Sequence, residues 1–169
     1  MKTLLSLLFC AALATAAQTG VPFESAAPAG WIVAQEKDGV TYLGPRDAHK
    51  LTVQINVRYI APGNPSYADA DAYLARLLKK PEFKIPGWKK GPIEQTLVAG
   101  RKARRARLES SEFVPPHSRK TKEVAMSEEH VVVPASKGFF VLLYYAPKTL
   151  AAKNHPVFQK VLDGFKPKL

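Results

Sequence analysis

The sequence predicts an α+β domain built on a mostly antiparallel sheet of six to seven strands, and three observations predict it. Leu51, Val53, Ile55, Val57 and Tyr59 alternate with Thr52, Gln54, Asn56 and Arg58, the period of two of a strand with one buried face. Phe139 to Tyr145 is continuously apolar and aromatic, as a central strand covered on both faces must be. Two stretches of helical period, near 66–79 and within 150–165, follow runs of strands rather than alternating with them.

The elements follow in order. Trp31 to Gln35 is an apolar strand that opens after Gly30. Lys37-Asp38-Gly39 is a hairpin turn, and Val40 to Leu43 is the returning strand. Gly44-Pro45-Arg46-Asp47 breaks the chain before the alternating strand Leu51 to Tyr59. After the loop Ala61 to Pro65 comes a helix from about Ser66 to Lys79. Its N-cap is either Ser66, or Asn64 with Pro65 as the first helical residue. Asp69 and Asp71 suit the positive end of the helix dipole, and Lys79 and Lys80 the negative end. Tyr67, Ala70, Leu74, Leu77 and Leu78 form its inner face, and Pro81 stops it.

Pro81 to Pro92 is a proline-rich loop that carries Trp88. Ile93 to Val98 and Lys102 to Phe113 are strands joined at Gly100, although the Ala/Arg composition of the second is also compatible with helix. Val114 to Ser118 is an exposed loop, and Glu123 to Val133 is a strand. Ser136-Lys137-Gly138 is a turn, and Phe139 to Tyr145 is the central strand, ended by Pro147. A last helix lies within Leu150 to Phe165, with a restart at His155-Pro156 and an inner face of Phe158, Val161, Leu162 and Phe165. The order is β-β-β-α-β-β-β-β-α, and the doubly buried central strand requires helices or long loops on opposite faces of the sheet.

The first residues report an address. Lys2, the apolar run Leu4 to Ala14 and the small residues Ala14-Thr15-Ala16-Ala17 have the layout of a secretory signal peptide, cleaved after Ala16 or Ala17. That run is too short for a membrane helix. The expected organisation is a signal over 1–17, a flexible lead-in over 18–29 and one domain over 30–169, placed in the periplasm or secreted. Cys10, the single cysteine, falls inside the signal, so the mature chain cannot form a disulfide and relies on its hydrophobic core.

The order of the landmarks carries a resemblance. Gly30-Trp31 opens the first strand, Leu51 to Tyr59 alternates, and Gly100 sits at a hairpin. Gly138-Phe139-Phe140 leads into a Tyr-rich strand ending Ala146-Pro147, and Phe158, Val161, Leu162, Gly164 and Phe165 close the chain. In this the sequence resembles the PsbP-like family of exported α/β/α domains, which includes DcrB. The resemblance covers nearly all of residues 30–167. It implies a non-enzymatic accessory or envelope protein and carries over no set of functional residues.

Charge is the unusual property. The net charge is +11, and Arg76 to Lys122 alone holds 14 Lys/Arg against 4 acidic residues. A localised positive field favours anionic partners. The candidate contact residues are Arg101, Lys102, Arg104, Arg105 and Arg107, with Lys89 and Lys90 beside Trp88 as a second basic-aromatic cluster. On a strand, Arg101, Arg105 and Arg107 share one face, and Lys102 and Arg104 the other, so the run is expected at an edge or out of the sheet's plane. The competing reading is a solvated face or a defence against edge-to-edge pairing.

Signals for chemistry are absent from the local sequence. His49, His117, His130 and His155 lack metal-ligand spacing, so no metal is expected. There is no GxSxG elbow, Walker loop or GxGxxG, and no cofactor is expected. Adjacent Glu128 and Glu129 point to opposite faces of a strand, and Asp69 and Asp71 diverge by roughly 200° on a helix. The leading reading is an exported, non-enzymatic binding domain whose basic middle third meets an acidic envelope protein or an anionic surface. The alternative is a small-ligand carrier or an enzyme assembled from scattered residues such as Glu128, His130, Tyr144 and Tyr145. Nucleic acid is disfavoured by export and by the lack of a regular aromatic stacking platform.

Overall fold

The computed structural model describes residues 20–116 and 120–169. The proposed signal with Cys10, and His117, lie outside the described residues.

The first half of the chain lays down β1 (Phe23–Glu24), β2 (Ile32–Glu36), β3 (Gly39–Arg46) and β4 (Thr52–Ile60), then α1 (Ala70–Leu77). The second adds β5 (Lys89–Lys90), β6 (Glu94–Val98), β7 (Arg101–Val114), β8 (Lys122–Pro134) and β9 (Phe139–Pro147), then α2 (Lys148–Gly164) and β10 (Lys166–Pro167). Eight strands form one antiparallel sheet in the order β2-β3-β4-β9-β8-β7-β5, with β6 also paired to β7. The expected α+β class with an antiparallel sheet holds. The strand beyond the expected number is β5, whose two residues are too few to show a period.

As expected, β9 is central, between β4 and β8. Its alternating side chains build two cores. Phe140, Leu142, Tyr144 and Ala146 join Val53, Ile55, Val57, Val131 and Val133 beneath Phe158, Val161, Leu162 and Phe165 of the α2 side. Phe139 and Val141 face the other way, with Ile60, Ala106 and Val132, beneath Leu74 of α1. The α2 core is much the larger.

Four expectations are corrected. First, the stretch 20–29 is not a loose arm. Phe23 is fully buried against Phe140 and Phe165, and β1 pairs with β10. One aromatic in an Ala/Pro/Gly-rich stretch is enough to dock it. Second, α1 is shorter than expected and is capped by Asp69, whose carboxylate accepts from Ala72 N–H at 2.8 Å. Asn64 instead closes a local turn by accepting from Ser66 N–H at 2.9 Å. Third, α2 does not restart at Pro156 but runs through it, carried by the buried Phe158, Val161 and Leu162.

The basic strand β7 is also not an edge. Arg101 to Arg105 pair with β6, and Arg104 to Val114 pair with β8. Apart from exposed Lys102, its cations are accommodated by partners rather than by an edge position.

Candidate functional site

Alternation on β7 sends Ala103 into the α2 core and Ala106 into the α1 core, so the arginines between them must leave opposite faces. Arg105 and Arg107 both reach Glu129 on β8, each through Nε at 2.9 Å. The Arg105 N–H does not aim at the oxygen, so that contact is an ion pair without a well-formed hydrogen bond. Arg107 also binds Glu94 at 3.1 Å. His155 of α2 places Nε2 3.1 Å from the same Glu129 carboxylate, whose side chain is only 5% exposed. Hydrogen bonding to Glu129 raises the Arg107 pKa above its ordinary range, against the cost of its own burial.

The remaining members are engaged too. Arg104 pairs with Asp71 of α1, and Arg101 donates to the backbone carbonyl of Leu169. Lys102 is exposed and has no ion pair among the described residues. Three of the five cations of the run, Arg104, Arg105 and Arg107, are therefore paired with side-chain carboxylates.

The second expected cluster is more open. Trp88 is half-buried, and its backbone N–H donates to the Ile85 carbonyl at 3.2 Å. Lys89 and Lys90 are exposed on β5, and Lys90 Nζ reaches the Leu78 carbonyl at 2.9 Å. Between α1 and β5 the chain presents Phe83, 83% exposed, among Lys79, Lys80 and Lys84. A hollow of about 360 Å³ lies between Phe83 and Trp88, walled partly by Lys80, Lys84 and Ile85. Sequence reasoning missed Phe83 and Ile85. Their signal was the interleaving of apolar and lysine residues in Lys80-Pro81-Glu82-Phe83-Lys84-Ile85, inside a loop with no period to mark it.

The scattered residues of the alternative reading partly converge. Glu128 and Glu129 do point to opposite faces. Glu128 lies 3.3 Å from His130 Nε2 and accepts from Ser110 Oγ at 3.1 Å. His130 Nδ1 is 2.8 Å from the hydroxyl of Tyr73 on α1. A neutral imidazole that donates from Nε2 and accepts at Nδ1 satisfies every partner. Tyr145 lies on the same face and donates to Glu112, whereas Tyr144 faces the other way and donates to the Ala151 carbonyl at 2.8 Å. Tyr73 joins the group because α1 packs beside β8.

This chain of hydrogen bonds has the base-and-orienter form of some catalytic groups, but not their access. His130 is buried, and the groove of about 240 Å³ beside Tyr73 is walled by Tyr67, Arg58 and Asn56 without His130 or Glu128. A shallower hollow of about 550 Å³ lies at the β6–β7 hairpin, beside Leu97, Lys102 and Arg104. No group of His, Cys, Asp and Glu among the described residues could hold a metal ion.

Burial raises the phenol pKa values of Tyr73, Tyr144 and Tyr145, and for Tyr145 the bond to Glu112 adds to it. The folded state therefore keeps protons that the unfolded chain begins to release near the ordinary tyrosine value of 10.0. Stability is expected to be full below that pH and to fall above it, by up to about 1.4 kcal/mol per pH unit for each such tyrosine. Tyr145→Phe should make that fall shallower. Urea unfolding from pH 8 to pH 11 measures it, and identical slopes would remove Tyr145 from the account.

No family model and no curated protein matches the chain. Solved structures do. PA94 of Pseudomonas aeruginosa, a protein of unknown function described as a putative regulator, matches with a TM-score of 0.52 at 14% identity, over 80% of this chain and 84% of its own. LpqN of Mycobacterium tuberculosis, described as involved in cell envelope biogenesis, matches at 0.48 and 19%, over 86% and 83%. The PsbP of a Synechocystis cyanobacterium matches at 0.46 and 12%, over 86% of each chain. At such identities the likeness is one of fold: the chain has the α+β architecture of PA94.

Proposed function

We propose that the protein is an exported, non-enzymatic accessory domain that contacts an anionic surface or an acidic envelope protein through its basic middle third. One observation carries this reading. Once the internal ion pairs are set aside, the largest run of unpaired lysines among the described residues lies in the segment between α1 and β5. Residues 79–90 hold five lysines and one glutamate. Lys79 lies 3.7 Å from Glu82, while Lys80 and Lys84 have no ion pair among the described residues. Lys89, Lys90 and Trp88 belong to this contact, with Lys102 as an outlying cation. Arg101, Arg104, Arg105 and Arg107 anchor the strand that carries it. The buried position of the His130 chain favours this reading over an assembled catalytic site.

Cell fractionation tests it. The protein is expected to leave the cytoplasm and to sediment with the envelope at low salt. About 0.5 M salt should release it, because surface charges are screened within a few ångströms there. The variant K80E/K84E/K89E should be recovered in the soluble exported fraction. Cytoplasmic retention of the native protein, or envelope sedimentation unaffected by the three changes, would refute the proposal.

A further inference from the structure

We infer that the segment 79–90 is a peripheral membrane anchor that seats Phe83 and Ile85 in the interface of a bilayer rich in anionic lipid. The inference rests on the proposed anionic contact and names its partner.

The geometry separates a fixed base from an exposed tip. The base is held by the β5–β7 pairing at Lys89 and Lys90, by the Lys90 bond to the Leu78 carbonyl and by half-buried Trp88. The tip carries Phe83 at 83% exposure and Ile85 at 40%. Pro81 and Pro86 flank it and limit its conformations, so less freedom is lost when it binds. Single exposed apolar residues are ordinary on a protein surface. Here two of them project from a segment that carries five lysines against one glutamate.

The choice of lipid follows from the residue types. An acidic peptide or a nucleic acid is read by groups that impose geometry, above all the planar guanidinium of Arg. All the arginines of β7 are spent on internal partners, and the cations of the tip are lysines. Lysine is a flexible point charge, suited to a diffuse layer of headgroups that offers no fixed register. An apolar tip ringed by lysines matches the two-part requirement of interfacial binding: apolar area for the acyl boundary and positive charge for the anionic surface. No helix among the described residues is long and apolar enough to cross a membrane, so the contact is peripheral.

Vesicle flotation tests it with protein purified from cells expressing the full chain. The vesicles are phosphatidylcholine alone, or phosphatidylcholine with about 30% phosphatidylglycerol, as polybasic segments require anionic lipid. The native protein should float with the anionic vesicles only. F83S/I85S should bind them at least about tenfold more weakly, with an unchanged melting temperature, since both side chains lie outside the core. K80E/K84E should also lose binding. Equal binding by F83S/I85S, or no flotation of the native protein, would overturn the inference. If flotation fails but salt-sensitive envelope sedimentation persists, the anionic reading survives and its partner is an acidic protein or glycan. If both fail, both are wrong.

Discussion

Replacing Glu129 by Ala is expected to cost about 3–5 kcal/mol of stability, the usual result of removing one partner from a buried ion cluster. The Glu129 side chain is 5% exposed and faces Arg105, itself only 19% exposed, at 2.9 Å. Arg107 and His155 lie on the same carboxylate at 2.9 and 3.1 Å. Without it, two guanidinium groups share a partly desolvated space. Arg107 keeps Glu94 as a partner, but Arg105 has no other acid at ion-pair distance among the described residues. Glu129→Gln should fall between the two, because the amide can still accept from Arg107 Nε but carries no charge. Coupling to Arg105 is the decisive readout. The double variant E129A/R105M should recover part of the loss, since Met fills the space of the Arg stem without the stranded charge. Urea unfolding at neutral pH measures all three. A loss under about 1 kcal/mol for Glu129→Ala would mean that water already compensates the cluster as it does at a surface.

Gly138→Ala is the second large effect, and Gly100→Ala is its internal control. Both glycines sit in hairpin turns with positive φ, +69° and +74°. An alanine at either position takes on the left-handed penalty of about 1–2 kcal/mol. Their surroundings differ. A Cβ at Gly100 meets nothing within 4 Å, while one at Gly138 would stand 2.2 Å from the Ile60 carbonyl oxygen and 3.1 Å from the Tyr59 hydroxyl. Backbone cannot rotate away as a side chain can. Relief therefore requires moving the β8–β9 turn off the end of β4, where Tyr59 donates to the Lys137 carbonyl at 2.8 Å. The expected cost is about 3 kcal/mol or more at Gly138, against about 1 kcal/mol at Gly100. Equal losses in thermal or urea unfolding would show that the turn yields and that the close approach to Ile60 has no energetic weight.

The same contrast between local and distant causes runs through the comparison of sequence with structure. Strand β4 was legible because its period of two is written in nine consecutive residues, and β9 because seven apolar residues in a row admit few other environments. The boundaries of α1 were not, since Ser66, Asn64 and Asp69 are all competent caps and only the fold chooses which one faces a free N–H. Strands β1, β5 and β10 have two residues each, and no pattern exists at that length. Phe23 could be placed only by knowing that Phe140 and Phe165 leave room for it.

The candidate site was legible by composition but not by geometry. That Arg76 to Lys122 is basic, that Glu128 and Glu129 diverge, and that no local motif for metal or nucleophile exists all follow from the chain itself, because each depends only on residue type and spacing. Which charges remain free does not. Glu129 meets Arg105 and Arg107 through the register of β7 on β8, and Asp71 meets Arg104 through the packing of α1, so three of the arginines that stand out in the sequence are paired with acids by the fold. Charge is a property of residues and can be counted along a chain. Compensation is a property of distances between residues far apart in sequence, and only the tertiary structure sets those distances.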